Sequence, residues 1–303
     1  MPPTAYPDLS TASPMSGIAT VALGSNNDRL KRLRRLVRQA KVRSSERAFV
    51  VDGPTLVADA LASDLVVHSV YVGDGAGRES GLEMLGSAAA SEARVAEQLE
   101  SVTVFEVDEA ALTAVLDPLN PRPMAAVVGS PVWELSEIDA EQPVMVAVEL
   151  RDPGNIGTLI RSSEAAGCGA VMIVGHSVDH LNPKAVRASA GSVLRLPVLS
   201  APDVTEAVAR LRATGRNVVA TVVRPDAVPY EQANLRSAAI LVGNEPHGLT
   251  LGAVAMADTA VTIPMAPGVE SLNVAAAGAI LAFESARQRR EHETGFLDRK
   301  SSP

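Results

Sequence analysis

Five short, almost continuously apolar runs punctuate the second half of the chain, at 144–148, 170–174, 217–222, 239–242 and 260–263. Runs this short and this apolar read as strands buried on both faces. The stretches between them are long enough for helices, and a last helix is predicted from about Ser271 past Arg287. Strands alternating with helices give a parallel sheet covered on both sides. Ligands of such sheets sit at the carboxyl ends of the strands, which directs attention to three loops, at 149–155, 243–248 and 264–270.

The first loop reads Arg151-Asp152-Pro153-Gly154-Asn155-Ile156-Gly157 and enters a helix carrying Arg161 and Glu164. Asn155 suits an N-cap, and Gly157 permits a close backbone approach. On these residues alone, a capped helix with one exposed arginine is a more common arrangement than an anion site. The second loop runs from Leu241 to Leu249 through Val242, Gly243, Asn244, Glu245, Pro246, His247 and Gly248. A strand that ends in Gly, two polar residues and Pro and then closes on Gly makes a tight, shaped turn. An imidazole can act as a base near neutral pH, but a loop histidine such as His247 is more often solvent-facing than catalytic. The third segment holds Ile263, Pro264, Met265, Ser271, Leu272 and Asn273. Ser271 is predicted to cap the last helix, and Asn273 offers both an acceptor and donors.

The first half alternates too, with extended runs at 48–51, 65–72, 102–107 and 124–128 and helices between them, so a smaller α/β domain is expected. The expected organisation is a disordered leader over 1–27, the smaller α/β domain over 28–130, a linker over 131–142, the larger α/β domain over 143–290 and a tail over 291–303. A net charge of -8 argues against a polyanion partner on average. Between Asp28 and Arg47, however, nine basic residues face two acidic ones. A helix whose thin apolar face is Leu30, Leu33, Leu36 and Val37 leaves the basic face outward, with Arg32, Arg35, Arg38, Lys41 and Arg43 as candidate phosphate contacts.

Several classes are excluded. The Gly73, Gly75, Gly77 spacing is not the G-x-G-x-x-G of a dinucleotide site. His176 and His180 have no convincing third ligand, so no metal is expected. Cys168 is the only cysteine, which rules out an intrachain disulfide and suits a reducing compartment. With no apolar run of membrane-spanning length and no secretory signal pattern, a cytoplasmic protein is expected.

The three loops, in this order, resemble the motifs of the SpoU, or TrmH, branch of the SPOUT methyltransferases. These are an Asn-x-Gly-x-x-x-Arg segment, a Gly-Asn-Glu-x-x-Gly-Leu segment and an Ile-Pro-Met segment leading to Ser-Leu-Asn-Val. The stretch 182–191 resembles the family's middle segment, and Arg43, Glu46, Phe49, Gly53 and Leu56 resemble the opening of its ribosomal-protein-like RNA-binding domain. The resemblance implies a C-terminal trefoil-knot α/β domain and a homodimer. It also implies transfer of a methyl group from S-adenosylmethionine to a ribose 2'-hydroxyl, with ribosomal RNA the favoured target and transfer RNA the alternative. Leu241, Val242, Gly243, Asn244, Ile263, Met265, Ser271 and Leu272 would surround the cofactor. Asn155, Arg161, Glu245, Ser271 and Asn273 would form the catalytic constellation. Similar chains include rRNA methyltransferases of the thiostrepton- and avilamycin-resistance type, which leaves housekeeping and resistance roles both open. A non-catalytic RNA-binding protein on the same scaffold is the alternative from another class.

Overall fold

The computed structural model describes residues 18–24, 27–75, 77–116, 123–244 and 247–300, with the side chains of 293–300 left aside. The chain divides at Ser130/Pro131 into two compact units.

The first unit runs β1 (Thr20–Leu23), α1 (Asp28–Arg38), α2 (Ala40–Glu46), β2 (Ala48–Asp52), α3 (Pro54–Ala62), β3 (Val67–Gly73), α4 (Arg78–Ser91), α5 (Ala93–Ser101), β4 (Thr103–Val107), α6 (Glu109–Leu116) and β5 (Met124–Gly129). Its sheet has the order β1-β4-β3-β5-β2, parallel from β1 to β3 and antiparallel across β5. Leu30, Leu33 and Leu36, spaced at a helical period, drop one face of α1 into a core with Tyr71, Phe105 and Leu112. The expected leader is corrected here. Thr20–Leu23 pairs in parallel with β4, and Asn27 caps α1 by accepting the Arg29 N–H at 2.9 Å. Residues 1–17 lie outside the described residues. A four-residue edge strand that borrows its register from a partner about 84 residues downstream has no period of its own to read.

The second unit runs β6 (Val144–Val148), α7 (Pro153–Ala165), β7 (Ala170–Val174), α8 (Pro183–Ala188), β8 (Val198–Ala201), α9 (Val204–Ala213), β9 (Val218–Thr221), β10 (Val228–Pro229), β11 (Ala239–Val242), α10 (Leu251–Ala255), β12 (Thr259–Thr262) and α11 (Val274–Lys300). All seven strands are parallel, in the order β10-β12-β9-β11-β6-β7-β8. Every residue of β6 and β7 is buried, as their unbroken Val, Met, Ala and Ile runs require. The strands at the two ends of the sheet, β8 and β10, were not anticipated from the sequence; they have four and two residues. The segment 131–142 is no free linker: Leu135 is buried in the core of this unit, with Trp133 and Ile138 packed against it. The last helix starts at Val274 rather than Ser271 and runs on through the expected tail to Lys300.

This order places the site. In β12-β9-β11-β6 the strands are adjacent and all point the same way, so the loops that follow β6, β11 and β12 emerge side by side at one end of the sheet. Segments more than a hundred residues apart are thereby neighbours.

Candidate active site and basic face

At the end of β6 the chain reverses through Glu149, whose φ of 55° is left-handed. Asp152, not Asn155, then caps α7: its Oδ1 accepts the N–H groups of Gly154 at 2.6 Å and Asn155 at 3.1 Å. The Asn155 N–H, helped by Gly154 and Lys184 and opposed by burial, holds the Asp152 carboxyl below its ordinary range. Asn155 therefore sits inside the first turn, and its side chain is not spent on capping α7. Gly157 is required by contact: a Cβ there would lie 2.3 Å from the Ala185 carbonyl oxygen and 2.6 Å from Ala188 Cβ, so α7 and α8 touch backbone to backbone.

The loop after β11 closes on itself. Asn244 accepts the Gly248 N–H with its carbonyl at 2.9 Å and the His247 N–H with Oδ1 at 3.0 Å, while Gly248 takes a φ of 64°. A Cβ on Gly243 would stand 2.2 Å from the Gly248 carbonyl carbon, so no other residue fits under the loop. Glu245 lies outside the described residues.

Beside this loop lies a cleft of about 460 Å³. Of the residues that the resemblance assigns to the cofactor, Val242, Gly243, Asn244, Ile263, Met265, Ser271 and Leu272 line it. Leu241 does not, because it is fully buried in the core of this unit. The sequence reading missed Thr221, Arg224 and Glu270, which also line the cleft. Thr221 ends β9, and its buried hydroxyl has no hydrogen-bond partner among the described residues. A β-branched hydroxyl residue as the last position of a buried strand was the available signal.

Beyond Leu272 the chain enters α11, and Asn273 makes the turn. Its Oδ1 accepts the N–H groups of Ala275 at 3.0 Å and Ala276 at 3.2 Å, so Asn273 caps the helix and Ser271 does not. Its Nδ2 donates to Asn155 Oδ1 at 2.9 Å, across 118 residues of sequence. Ser271 is exposed at the cleft. Arg161 is exposed on α7, does not line the cleft, and has no hydrogen bond or ion pair for its side chain among the described residues. One turn on, Glu164 is held by Arg195 in a two-pronged bridge of 2.6 and 2.9 Å. Burial alone would raise the Glu164 carboxyl, but the bonds from Arg195 and Ser192 and the Arg195 charge bring it below its ordinary range.

The basic segment divides into two populations. Arg43 is corrected from RNA contact to structure: it is buried, and its Nη1 donates to the carbonyls of Leu36 at 2.7 Å and Val37 at 3.1 Å. Those carbonyls end α1 and would otherwise be orphaned. Arg32 is half-buried against Glu46 at 2.6 Å, which reduces its claim as a phosphate contact. Arg35, Arg38 and Lys41, with Arg34, are exposed and carry no ion pair among the described residues. Of the expected phosphate contacts, Arg35, Arg38 and Lys41 are therefore the ones that present uncommitted charge.

Residues 142–283 match the SpoU rRNA methylase family, and residues 27–126 match the MRM3-like substrate binding domain. The 23S rRNA (guanosine(2553)-2'-O)-methyltransferase RlmP of Bacillus subtilis is 31% identical over 244 residues, 80% of this chain and 90% of the relative. The AdoMet-bound rRNA methyltransferase of Sinorhizobium meliloti superposes with a TM-score of 0.74 at 28% identity, over 89% of this chain and 98% of that one. The SpoU methyltransferase AviRb of Streptomyces viridochromogenes, solved with AdoMet, gives 0.72 at 26% identity over 87% and 98%. The chain belongs to the SpoU rRNA methylase family and is an S-adenosylmethionine-dependent RNA methyltransferase.

Proposed function

We propose that the enzyme methylates one ribose 2'-hydroxyl of ribosomal RNA, in the cytoplasm, as a homodimer in which each Arg161 serves the partner's cleft. The observation that carries this reading is the separation of Arg161 from the cofactor cleft. Six residues along an α-helix turn a side chain by about 120° from Asn155. Asn155 faces the Asn273 cap beside the cleft, while Arg161 is outside the cleft, exposed and without a partner among the described residues. Phe283 is 49% exposed on α11, the helix that packs on α7, and offers an apolar face to a second copy. The trefoil knot implied by the resemblance belongs to the same reading, as does a target in rRNA rather than transfer RNA, in keeping with the names of the relatives.

The cleft fits the cofactor. About 460 Å³ is within the usual range of small-molecule sites. Val242, Ile263, Met265 and Leu272 give apolar walls for an adenosine, the missing Cβ of Gly243 admits close backbone approach, and the buried Thr221 hydroxyl awaits a partner. S-adenosylmethionine supplies an electrophilic methyl carbon on a sulfonium. The residues of the chain must bring a ribose oxygen into line with that carbon and dispose of its proton. A guanidinium stays cationic at any ordinary pH and cannot serve as the base. Arg161 instead clamps a phosphate beside the target ribose and stabilises the negative charge that grows on O2' as the O–C bond forms and the C–S bond breaks. Asn273 cannot receive the proton, because its Oδ1 already accepts two backbone N–H groups. The proton leaves O2' for Ser271 Oγ or a water in the cleft, and from there for solvent.

The test mixes two inactive variants, Arg161→Ala and Gly243→Val, after joint refolding, and assays methyl transfer from tritiated S-adenosylmethionine to rRNA, with digestion to nucleosides. A regained 2'-O-methyl product in the mixture supports the shared site. A silent mixture, with wild-type protein active, places Arg161 in its own protomer's site. Base methylation would refute the ribose assignment, and no transfer to any RNA would leave an RNA-binding protein. The nucleotide modified decides between a housekeeping and a resistance role.

A further inference from the structure

Three helices begin close to the site, and side chains link their first turns in series. Asn182 caps α8 by accepting the Lys184 N–H at 2.9 Å. Lys184 Nζ reaches Asp152 Oδ2 at 3.4 Å. Asp152 Oδ1 takes the backbone N–H groups of Gly154 and Asn155 at the start of α7. Asn155 Oδ1 then accepts from Asn273, which caps α11 and directly follows the cleft residues Ser271 and Leu272.

We propose that Asp152 is a positioning residue, keyed by Lys184, that fixes Asn155 against Asn273 and so holds the Arg161 helix in register with the cofactor loop. The inference rests on the methyl transfer proposed above. Without a cap, the first turn of a helix loses its partners for two N–H groups and frays. Asn155 stands in that turn, so its grip on Asn273 weakens along with it. The segment 264–273 bears the cleft residues Met265, Ser271 and Leu272 and is anchored at its far end by Asn273, so it gains freedom where the methyl acceptor must be aligned. Lys184 is 61% exposed and at 3.4 Å, so it tunes the Asp152 carboxylate rather than holding it.

A cap that merely stabilises the fold is distinguished by a control elsewhere. Asp203 caps α9 in the same manner, accepting the Glu206 N–H at 2.9 Å, and does not line the cleft. With the full-length protein, Asp152→Ala is expected to lower kcat about 10-fold and leave KM for RNA within about twofold, since small misplacements tell on the chemical step. Asp152→Asn, which keeps the Oδ1 acceptor, is expected to recover most of that loss. Asp203→Ala is expected to lose similar thermal stability with kcat kept within about twofold. Asp152→Ala combined with Asn273→Ala should be no slower than the slower single variant, because both cut one link. Hydrogen exchange over 264–277, measured without RNA, should rise in Asp152→Ala and not in Asp203→Ala. That readout stands even if no RNA is methylated, so it separates failure of this inference from failure of the functional reading. Equal kcat losses in Asp152→Ala and Asp203→Ala, multiplied losses in the double variant, or unchanged exchange over 264–277 would each overturn the positioning role.

Discussion

The two units present different kinds of surface. The second is wholly parallel, so every strand delivers its following loop to the same end, and the loops after β6, β11 and β12 converge there. The first is mixed: β5 alone runs against the other strands, and the loops after β3 and β4 also meet, where Asp74 Oδ1 accepts the Glu109 N–H at 3.0 Å, but its exposed basic residues stand on α1 and α2. What the first unit offers a polyanion is a helix surface instead, the exposed charges of Arg34, Arg35, Arg38 and Lys41. A site built from loops depends on shape and fails abruptly when the shape is filled. A surface built from separate charges loses affinity in small, salt-dependent steps.

The largest expected effect breaks the shaped site. Gly243→Val drives a side chain into the Gly248 and Leu249 backbone, which has no flexible end to yield. S-adenosylmethionine affinity, read by titration calorimetry, should fall by roughly 100-fold, equivalent to the upper range of overpacking costs, while RNA binding by the first unit stays within about twofold. Retained cofactor affinity would show that the loop can rebuild itself, and the contrast between the two kinds of surface would lose its footing.

Intermediate effects separate the two arginine populations within α1 and α2. Arg43→Ala orphans the Leu36 and Val37 carbonyls and should destabilise the first unit by about 1–3 kcal/mol, with RNA affinity of the folded fraction unchanged. Arg35→Ala with Arg38→Ala should do the reverse: unchanged unfolding, RNA affinity roughly 10-fold weaker at physiological salt, and a salt slope reduced by about one per residue removed. Loss of RNA affinity in Arg43→Ala at full stability would return Arg43 to the contact surface.

That pair of outcomes shows where the sequence was legible. The buried strands at 144–148, 170–174 and 239–242 were readable to the residue, because burial on both faces demands continuous apolar runs. The residues that line the cleft were named through the family resemblance, because the turn chemistry of a strand-end loop with Gly, Asn and Pro says only that the loop is tight. What failed was partner choice. Nine basic residues in one short segment look alike in sequence, and whether one meets a phosphate, Glu46 or a carbonyl depends on how α2 folds back on α1. The caps failed similarly: Asp152, Asn155, Ser271 and Asn273 all suit a helix start, and a shift of register by a residue or two decides which side chain caps and which is left to the site.

The smallest expected effect tests whether charge within the shaped unit matters as it does on the basic face. Glu164 is 29% exposed and bridged by Arg195 in both prongs, so its carboxylate is favoured in the folded state and its proton affinity is lowered there. A group whose folded pKa lies below its unfolded value of 4.5 adds stability above that pH and loses it as pH falls through the folded pKa. Glu164→Gln should therefore cost about 0.5–1 kcal/mol at neutral pH, discounted for partial exposure. The cost should be constant from about pH 8 down to about 5 and be lost as pH falls through the folded pKa, where the wild-type carboxyl becomes neutral too. Matched denaturant titrations of the two proteins across that range measure the difference directly. A gap that persists unchanged at the acid end would mean that the Glu164→Gln substitution disturbs packing rather than charge, and that this unit owes its stability to shape throughout.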